Sequence, residues 1–455
     1  MDDVLAFVEQ NATRFEEMLC ELLRIPSISA DPDRAGDVRQ AADWLVGQFA
    51  SMGLSARRIE TSGHPLVYAE SPPVPGRPVV LVYGHYDVQP VGALGEWHSP
   101  PFEPVRREGN VYARGATDDK GQMLTHVLSV LAWLKVRGKL PLQVKFLIEG
   151  EEEVGSRGLE ALLATEEGRK LLACDVAVIS DTSQYGPGQP AITYGLRGIA
   201  FFELAVHGPR QDLHSGTFGG TVANPIVALC QLLAAVKDEQ GRVQLPNFYD
   251  AVRPLTPREE EQLARLPFSE LEYQAKLGVP ALVGEAGYGT LARRWVRPTF
   301  DVHGIWGGEQ VSKTVIPARA GAKFSFRLVP DQDPEAIAQS AQRFFHERCP
   351  RGVEIELRYL HGARAVVVPL DSPWMAAAER AIAQGFTRPP VFIREGGSIP
   401  IVVHFRQRLG VDTLLLGWGL DDDGAHGPNE KLNLADFHRG IRASAYLWHE
   451  LAAGH

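Results

Sequence analysis

Residues 79–90 read "VVLVYGHYDVQP", and this stretch indicates which class of fold the chain adopts. Its first five residues, Val79–Tyr83, are apolar or aromatic and predict a short buried strand. The run ends at Gly84 and is followed by His85 and Asp87, two side chains that a hydrophobic core normally excludes. A histidine and an acid at this place indicate either an ordinary loop or a metal ligand with the carboxylate that orients it.

Similar short runs recur along the first 195 or so residues and alternate with a helical pattern. Val144–Ile148 and Val176–Ile179 are apolar or rich in β-branched residues, as strands require. Between the first two runs lies "DKGQMLTHVLSVLAWLKVRGKL", whose apolar residues fall on one helical face, and Gly138 suits the end of that helix. Strands that alternate with helices predict parallel crossovers and an α/β fold.

A second style of sequence occupies the middle of the chain, from residue 197 to residue 370. "GAKFSFRLVP" alternates apolar and polar residues, as a half-exposed strand does, and a helix is expected to begin at Asn224, the N-cap, and Pro225. This middle segment predicts an α+β domain of antiparallel character. The first style returns after about Asp371, so we expect one domain built from 1–196 and 371–455, with 197–370 inserted.

The bulk composition argues against several classes of function. The chain has 455 residues, too many for one ordinary core, and a formal net charge of −10. This charge argues against nucleic acid or an anionic membrane as the main partner. No run of about 18 apolar residues occurs, so no segment is expected to span a membrane.

The N-terminal segment and the cysteines indicate a cytoplasmic protein. The first residues lack the basic start and apolar centre of a secretory signal, and their apolar positions predict one amphipathic helix. Cys20, Cys174, Cys230 and Cys349 lie far apart and form no CxxC pair. We expect them to be small buried residues in a reducing compartment rather than zinc ligands or disulfides.

Acids and histidines follow several of the predicted strands. They are His85, Glu152 and Glu153 in "FLIEGEEEVGS", Asp181 in "AVISDTS", His426 in "LLLGWGLDDDGAHGPNE", and Asp118 and Asp119 in "YARGATDDKG", just before a helix. Each alone is more often a loop residue, a turn or an N-cap. In an open α/β sheet, however, the carboxyl ends of the strands share one edge, where so many unpaired carboxylates would repel each other. A pair of divalent cations removes that repulsion.

The types of ligand indicate which metals are bound. Histidine and carboxylate without cysteine favour Zn²⁺, Mn²⁺ or Co²⁺ over Ca²⁺ or Mg²⁺. Two metals roughly 3.5–4 Å apart hold a bridging water, lower its pKa and polarise a carbonyl. A further acid is needed to accept the proton of that water, and adjacent glutamates supply one ligand and one base. Asp87 would hydrogen-bond the second ring nitrogen of His85. The sequence alone leaves open whether Asp118 or Asp119 bridges the metals.

Eight motifs in this order resemble those of one known family. They are "GHYDVQP", "ARGATDDKG", "EGEEEVGS", "SDTS", "HSGTFGG", "KTVIPARAGAKFSFRLVP", "REGGSIP" and "HGPNEK". The set resembles the di-metal metallopeptidases of the carnosinase and cytosolic non-specific dipeptidase type, in a superfamily with acetylornithine deacetylase, succinyl-diaminopimelate desuccinylase and carboxypeptidase G. The match runs from about Leu66 to Leu434. It implies a di-zinc exopeptidase-like α/β catalytic domain with a central mixed sheet, and an inserted α+β domain that serves as lid and in dimerisation.

The resemblance also implies a role for each residue of the metal site. The first metal would be bound by His85, Asp118 and Asp181, and the second by Asp118, Glu153 and His426, with Asp118 bridging. Glu152 would be the general base and Asp87 would orient His85. The resemblance further implies two Zn²⁺ or Mn²⁺ ions and a cis peptide between Asp118 and Asp119.

In the inserted domain the resemblance implies residues that contact the substrate. His214 would reach the active site of the neighbouring subunit of a homodimer and stabilise the oxyanion. Arg327 would bind the C-terminal carboxylate of the substrate, for which a guanidinium offers two parallel donors. Gly397 and Ser398 would complete that pocket, and Thr314 would lie nearby. Without the resemblance, His214 would more often be an exposed loop histidine, Arg327 a strand arginine facing water, and Gly397 part of a turn.

The implied activity is hydrolysis of dipeptides that have a free C-terminal carboxylate. The metal-bridging water would attack the scissile carbonyl while Glu152 accepts its proton. An N-acyl amino acid deacylase on the same di-metal site is the alternative, and it differs only at the N-terminal side of the substrate. A non-catalytic binding protein would normally have lost a ligand or the base, and this chain has the complete set. One departure is Glu151, an acid directly before the base, which is expected to raise the pKa of the base slightly.

Overall fold

The computed structural model describes residues 1–308, 313–397 and 399–454. The strands are β1 (Ser55–Ile59), β2 (Leu66–Glu70), β3 (Val79–His85), β4 (Val105–Arg107), β5 (Asn110–Tyr112), β6 (Gln143–Glu149), β7 (Val176–Ile179), β8 (Ala191–Leu196), β9 (Gly198–His207), β10 (Leu213–His214), β11 (Thr299–Gly307), β12 (Val315–Ile316), β13 (Arg319–Leu328), β14 (Glu354–Ala363), β15 (Val366–Val367), β16 (Val391–Glu395), β17 (Asp412–Gly417) and β18 (Lys431–Asn433). The helices are α1 (Asp2–Gln10), α2 (Ala12–Leu23), α3 (Ala35–Ser51), α4 (Lys120–Arg137), α5 (Arg157–Ala164), α6 (Glu166–Leu171), α7 (Ser215–Phe218), α8 (Pro225–Ala234), α9 (Pro257–Arg265), α10 (Glu270–Leu277), α11 (Thr290–Trp295), α12 (Pro334–Glu347), α13 (Pro373–Phe386), α14 (Pro400–His404) and α15 (Leu434–Ala453).

The chain divides into two compact units. The first contains Met1–Tyr194, Val368–Ile393 and the chain from His404 onward, and the second contains Gly195–Val367 and Arg394–Val403. The segment Arg394–Val403 therefore groups with the second unit, whereas the sequence pattern assigned all of 371–455 to the first domain.

The first unit contains a mixed sheet with strand order β1-β2-β6-β3-β7-β17-β8. β6, β3, β7 and β17 run parallel to one another, while β2 and β8 join this block antiparallel. The predicted α/β fold with a central mixed sheet is confirmed, and its four parallel strands are the ones that the opening motifs follow.

Helix α4 connects the β3 side of the sheet to β6 and is buried on nearly every face from Lys120 to Val130. It ends where the sequence predicts, because Gly138 adopts a left-handed conformation with φ 69° and closes the last turn. A helix that is fully enclosed by the fold holds its first residues in a fixed place. That first turn directly follows Asp118 and Asp119.

The second unit is α+β, as predicted. Its four-stranded sheet has the order β11-β13-β9-β14, and every neighbouring pair is antiparallel. Along β9 buried and half-buried residues alternate strictly, and the buried row packs with phenylalanines such as Phe324 and Phe326 under α8 and α12. Asn224 caps α8 by accepting the N–H of Ile226, as expected.

Two expectations about details were wrong. The predicted single N-terminal helix is two helices that meet at Asn11, whose ψ of 12° is not helical. Cys20 is buried, but Cys230 is exposed on α8, and Cys174 and Cys349 are intermediate, so burial does not explain all four cysteines.

None of the helices in the described ranges combines the length and apolar content that crossing a membrane requires.

Candidate metal centre

The candidate ligands come from the four parallel strands that lie side by side. His85 is the last residue of β3, and Asp181 follows the end of β7. Glu153 lies in a short 3-10 turn after β6, and His426 lies in the loop after β17. Because the carboxyl ends of these strands share one edge of the sheet, the loops that follow them meet there. Asp118 reaches the same place from the N-terminal end of α4.

Two groups of possible ligands form at this edge, and Asp118 belongs to both. His85, Asp118 and Asp181 place one ligand atom each within 4.8 Å of one another, and so do Asp118, Glu153 and His426. Oδ1 of Asp118 lies 3.0 Å from Nε2 of His85, whereas Oδ2 lies 2.8 Å from Nε2 of His426. The two oxygens of one carboxylate thus face two different histidines, which is the arrangement of a bridging ligand.

Asp119 belongs to neither group. Its Oδ2 accepts the backbone N–H of His85 at 3.2 Å, and its Oδ1 is buried without a hydrogen-bond partner among the described residues. Of the two adjacent acids, only Asp118 therefore lies within reach of both groups of candidate ligands. The peptide bond between them is cis, as the resemblance implies.

Asp87 links two of the loops that form the site. Its backbone carbonyl lies 3.0 Å from Nδ1 of His85, closer than its carboxylate oxygen at 3.4 Å. The two carboxylate oxygens instead accept the backbone N–H groups of Glu152, at 3.2 Å, and Glu153, at 3.1 Å. Asp87 is completely buried, so these contacts are not shared with solvent.

The carboxyl groups at this site lie so close together that they shift one another's pKa values. Burial raises the pKa of Asp181 well above its usual value, and the neighbouring Asp118 and Asp119 raise it further. Burial acts on Asp118 in the same direction, but its hydrogen bonds to His426 and His85 outweigh that effect and hold its pKa below the usual value. Carboxylates packed this closely attract positive charge, either as protons or as cations.

The donor set fits a pair of divalent cations. Imidazole nitrogens and carboxylate oxygens, without a thiolate, match the preferences of Zn²⁺ and Mn²⁺. Nδ1 of His85 is held by the backbone carbonyl of Asp87, which leaves Nε2, on the side of Asp118, to act as a ligand.

Glu152 lies beside these groups but belongs to neither. Burial raises the pKa of its carboxyl, His85 lowers it, and the nearby Glu153 and Asp87 raise it again, so that the net shift is upward. The preceding Glu151, which the sequence singled out as unusual, accepts the N–H of Gly158 at 3.1 Å. Glu151 therefore stabilises the first turn of α5.

In the second unit, His214 and Thr314 line one cavity of about 560 Å³, together with Lys313 and Val315. Nδ1 of His214 accepts the N–H of Gly216 at 3.1 Å, so in the neutral ring the proton lies on Nε2, and the residue is exposed.

The predicted carboxylate-binding residues lie elsewhere in the same unit. Arg327 is on β13, opposite Thr299 of β11 and Ile199 of β9. Burial lowers the pKa of its guanidinium, and the nearby Asp301 offsets part of that shift. Gly397 has open space where a Cβ would be, and Ser398 lies outside the described residues.

Three residues at the metal centre were missed by the sequence analysis. Gln89 donates to Oε2 of Glu153 at 2.8 Å, and Arg114 forms a buried ion pair with Glu430. All three are inside the motifs "GHYDVQP", "ARGATDDKG" and "HGPNEK". Their partners are largely backbone groups and side chains distant in sequence, and spacing carries no signal of such contacts.

Comparison with known proteins agrees with this geometry. The model of the peptidase family M20/M25/M40 matches residues 81–450. The chain is 33% identical to the Cys-Gly metallodipeptidase dug1 of Schizosaccharomyces pombe, covering 100% of this chain and 98% of the relative. It is 32% identical to the human Beta-Ala-His dipeptidase, covering 100% and 93%. The crystal structure of human carnosine dipeptidase 1 superposes with a TM-score of 0.83 at 32% identity, covering 99% and 98%. Because the family model matches residues 81–450 and the relatives align over the whole chain, the chain belongs to the peptidase family M20/M25/M40.

Proposed function

We propose that this chain is a metal-dependent dipeptidase, which hydrolyses the peptide bond of dipeptides that have a free C-terminal carboxylate. The observation that carries this proposal is the pair of candidate ligand groups sharing Asp118, with the half-buried carboxyl of Glu152 beside them. Relatives of about one-third identity over the full chain are named dipeptidases.

The cations would be held by the two groups of residues that geometry brings together. His85, Asp118 and Asp181 would bind one ion, and Asp118, Glu153 and His426 the other. Two Zn²⁺ or Mn²⁺ ions at such a site lower the pKa of a water and polarise a carbonyl.

Glu152 is suited to the proton transfers of peptide hydrolysis. It accepts the proton of the attacking water and then donates it to the nitrogen of the leaving amine. An upward shift of its pKa brings a carboxyl closer to the working pH, where a general base is most effective. The bond from its backbone N–H to Asp87 fixes the residue against His85.

His214 is proposed to contact the reacting carbonyl of the substrate, and Thr314, which lines the same cavity, is proposed to lie near the carboxylate pocket. A neutral imidazole whose Nδ1 is already an acceptor can offer its Nε2–H to a developing oxyanion. Arg327 is proposed to bind the C-terminal carboxylate with Gly397 and Ser398, because a half-buried guanidinium can offer two parallel donors to a carboxylate.

The active assembly is proposed to be a homodimer in which His214 serves the neighbouring subunit. β11 is an edge strand of its sheet, and Val302, Ile305 and Trp306 on it are exposed. An exposed apolar edge favours pairing with a second copy of the same edge across a two-fold axis. The predicted cytoplasmic location stays a prediction.

Metal analysis joined to a substrate panel tests the proposal. Purified protein is stripped of metal, reloaded with Zn²⁺ or Mn²⁺ and assayed on Cys-Gly, β-Ala-His, Ala-Ala and N-acetyl amino acids. We expect two ions per chain and turnover of at least one dipeptide. Turnover of the N-acetyl compounds alone would support the deacylase instead, and no bound metal with no turnover would reject both.

A further inference from the structure

A buried ion pair lies behind the metal centre. Nη1 of Arg114 is 2.7 Å from Oε2 of Glu430, and both side chains are 1% exposed. Removing two charges from water in this way is costly, and apolar residues in their place are often equally stable. The reason for such a pair must therefore be sought in what else its atoms bind.

The carboxylate of Glu430 holds the backbone that leads to Asp118. Oε2 accepts the N–H of Gly115 at 2.9 Å, and Oε1 accepts the N–H of Thr117 at 3.0 Å and of Asp118 at 3.1 Å. With Arg114, four donors converge on one carboxylate. The position of the shared ligand along its loop is set by these bonds.

The guanidinium of Arg114 holds the two other loops. Nη2 donates to the backbone carbonyl of His426 at 3.1 Å and to that of Pro90, in the loop that follows His85, at 3.2 Å. His426 has a φ of 63°, which is unfavourable for a residue with a side chain. The bond from Arg114 to the carbonyl of His426 holds this strained backbone in place and so fixes the position of the exposed imidazole.

We propose that Arg114 and Glu430 are positioning residues, which fix the Asp118 loop and the His426 loop relative to each other before a cation binds. The inference rests on the proposed metal site and extends it to residues that touch no cation. The ion group of Asp118, Glu153 and His426 depends on both held loops. In the other ion group, His85 and Asp181 are placed by β3 and β7, so only its third member, Asp118, depends on the pair.

The test uses Arg114→Lys, which keeps the charge but loses the two-pronged guanidinium, and Glu430→Gln, which keeps the shape. The matched control is Glu285→Gln, since Glu285 is also buried, pairs with Arg297 at 2.7 Å and Arg242 at 3.0 Å, and belongs to the second unit. Metal-free proteins are titrated calorimetrically with Mn²⁺, and their urea unfolding midpoints are measured in parallel.

We expect each positioning variant to weaken both Mn²⁺ ions, because Asp118 is shared, and to weaken one ion more than the other. The ion of Asp118, Glu153 and His426 should bind about 10–100-fold more weakly, as is typical when a residue behind a ligand is changed. The control loses stability but binds both ions normally. Folded positioning variants that bind two Mn²⁺ with wild-type affinity would overturn the inference and leave the proposed function intact. A wild type that binds no Mn²⁺ would overturn both.

Hydrogen exchange on the wild type provides a test that needs no variant. In the metal-free protein, the amides of Gly115, Thr117 and Asp118 should exchange as slowly as they do with Mn²⁺ bound, because Glu430 already accepts them. Fast exchange that slows at least about tenfold only on addition of Mn²⁺ would show that the cation, and not the ion pair, sets these loops.

Discussion

Oδ1 of Asp87 accepts the backbone N–H of Glu152, with 3.2 Å between the two atoms. The bond joins the loop after β3 to the turn after β6 and so fixes the position of the proposed base relative to His85. Asp87→Asn replaces one carboxylate oxygen with an NH₂ group that cannot accept an N–H. We expect kcat to fall about 10–100-fold, as for other residues that orient a ligand. Steady-state kinetics with Cys-Gly check this, and a rise of KM with unchanged kcat would contradict it.

Glu152→Gln should abolish proton transfer and keep the fold. The amide cannot take a proton, so kcat should fall by at least about 100-fold. Both metal ions should remain, because Glu152 belongs to neither ligand group. Activity is measured alongside metal content by elemental analysis.

The control for this variant is Glu151→Gln at the neighbouring position. Glu151 contacts the N–H of Gly158 at the start of α5, so its change should cost stability and leave kcat within about threefold. An equal decrease of kcat in the two variants would contradict the role of Glu152 as the general base.

Subunit mixing can show which active site His214 serves. Glu152→Gln and His214→Ala are each expected to be nearly inactive alone. If His214 acts across a dimer, a mixed dimer has one site with both residues intact, and random pairing restores about a quarter of wild-type activity by simple counting. Co-expression with two affinity tags isolates the mixed dimer. If mixing restores nothing, His214 serves its own subunit.

The stability of the fold should depend on pH through His126. This residue is completely buried between the hydroxyls of Ser180, at 2.8 Å, and Ser444, at 3.0 Å, and burial lowers its pKa from 6.5 to about 3. The unfolded chain therefore binds a proton below pH 6.5 that the folded chain refuses until about pH 3. The neutral imidazole of His126 therefore contributes its whole stabilising effect above pH 6.5. The free energy of unfolding decreases as the pH falls from 6.5 towards about 3.

His126→Gln should reduce that slope by up to about 1.4 kcal/mol per pH unit. Urea unfolding of the metal-free protein at several pH values between 7 and 4 measures it. His346→Gln, on the exposed side of α12, is the control and should leave the slope unchanged. An unchanged slope in His126→Gln would show that the imidazole does not titrate as its burial implies.

The parallel core of the fold was predictable because it depends on local patterns. Val176–Ile179 is a strand with the bounds that its apolar run predicts, and α4 ends before Gly138. The antiparallel strands β1 and β2 were missed. β1 has no buried residue and no apolar run, whereas β2 is a short buried run that was not read as a strand. Asn11 was read through as helix because one non-helical residue barely disturbs the apolar spacing.

The candidate site was predictable at the level of its ligands and not of their supports. Which aspartate is shared required either the family pattern or the coordinates, because two adjacent acids have equivalent spacing. The supports bind mainly through backbone groups, as Glu430 does with three N–H groups, and a backbone group looks the same at every position in a sequence.

The positions of the candidate ligands along the sequence have a consequence for synthesis of the chain. His85, Asp118 and Asp181 are all translated before the second unit begins, whereas the partner that completes the other group is residue 426. On the ribosome, a nascent chain therefore carries all the side chains proposed for one ion long before it carries those proposed for the second. A protease that removed 426–455 would likewise leave the first proposed group complete and remove a histidine from the other.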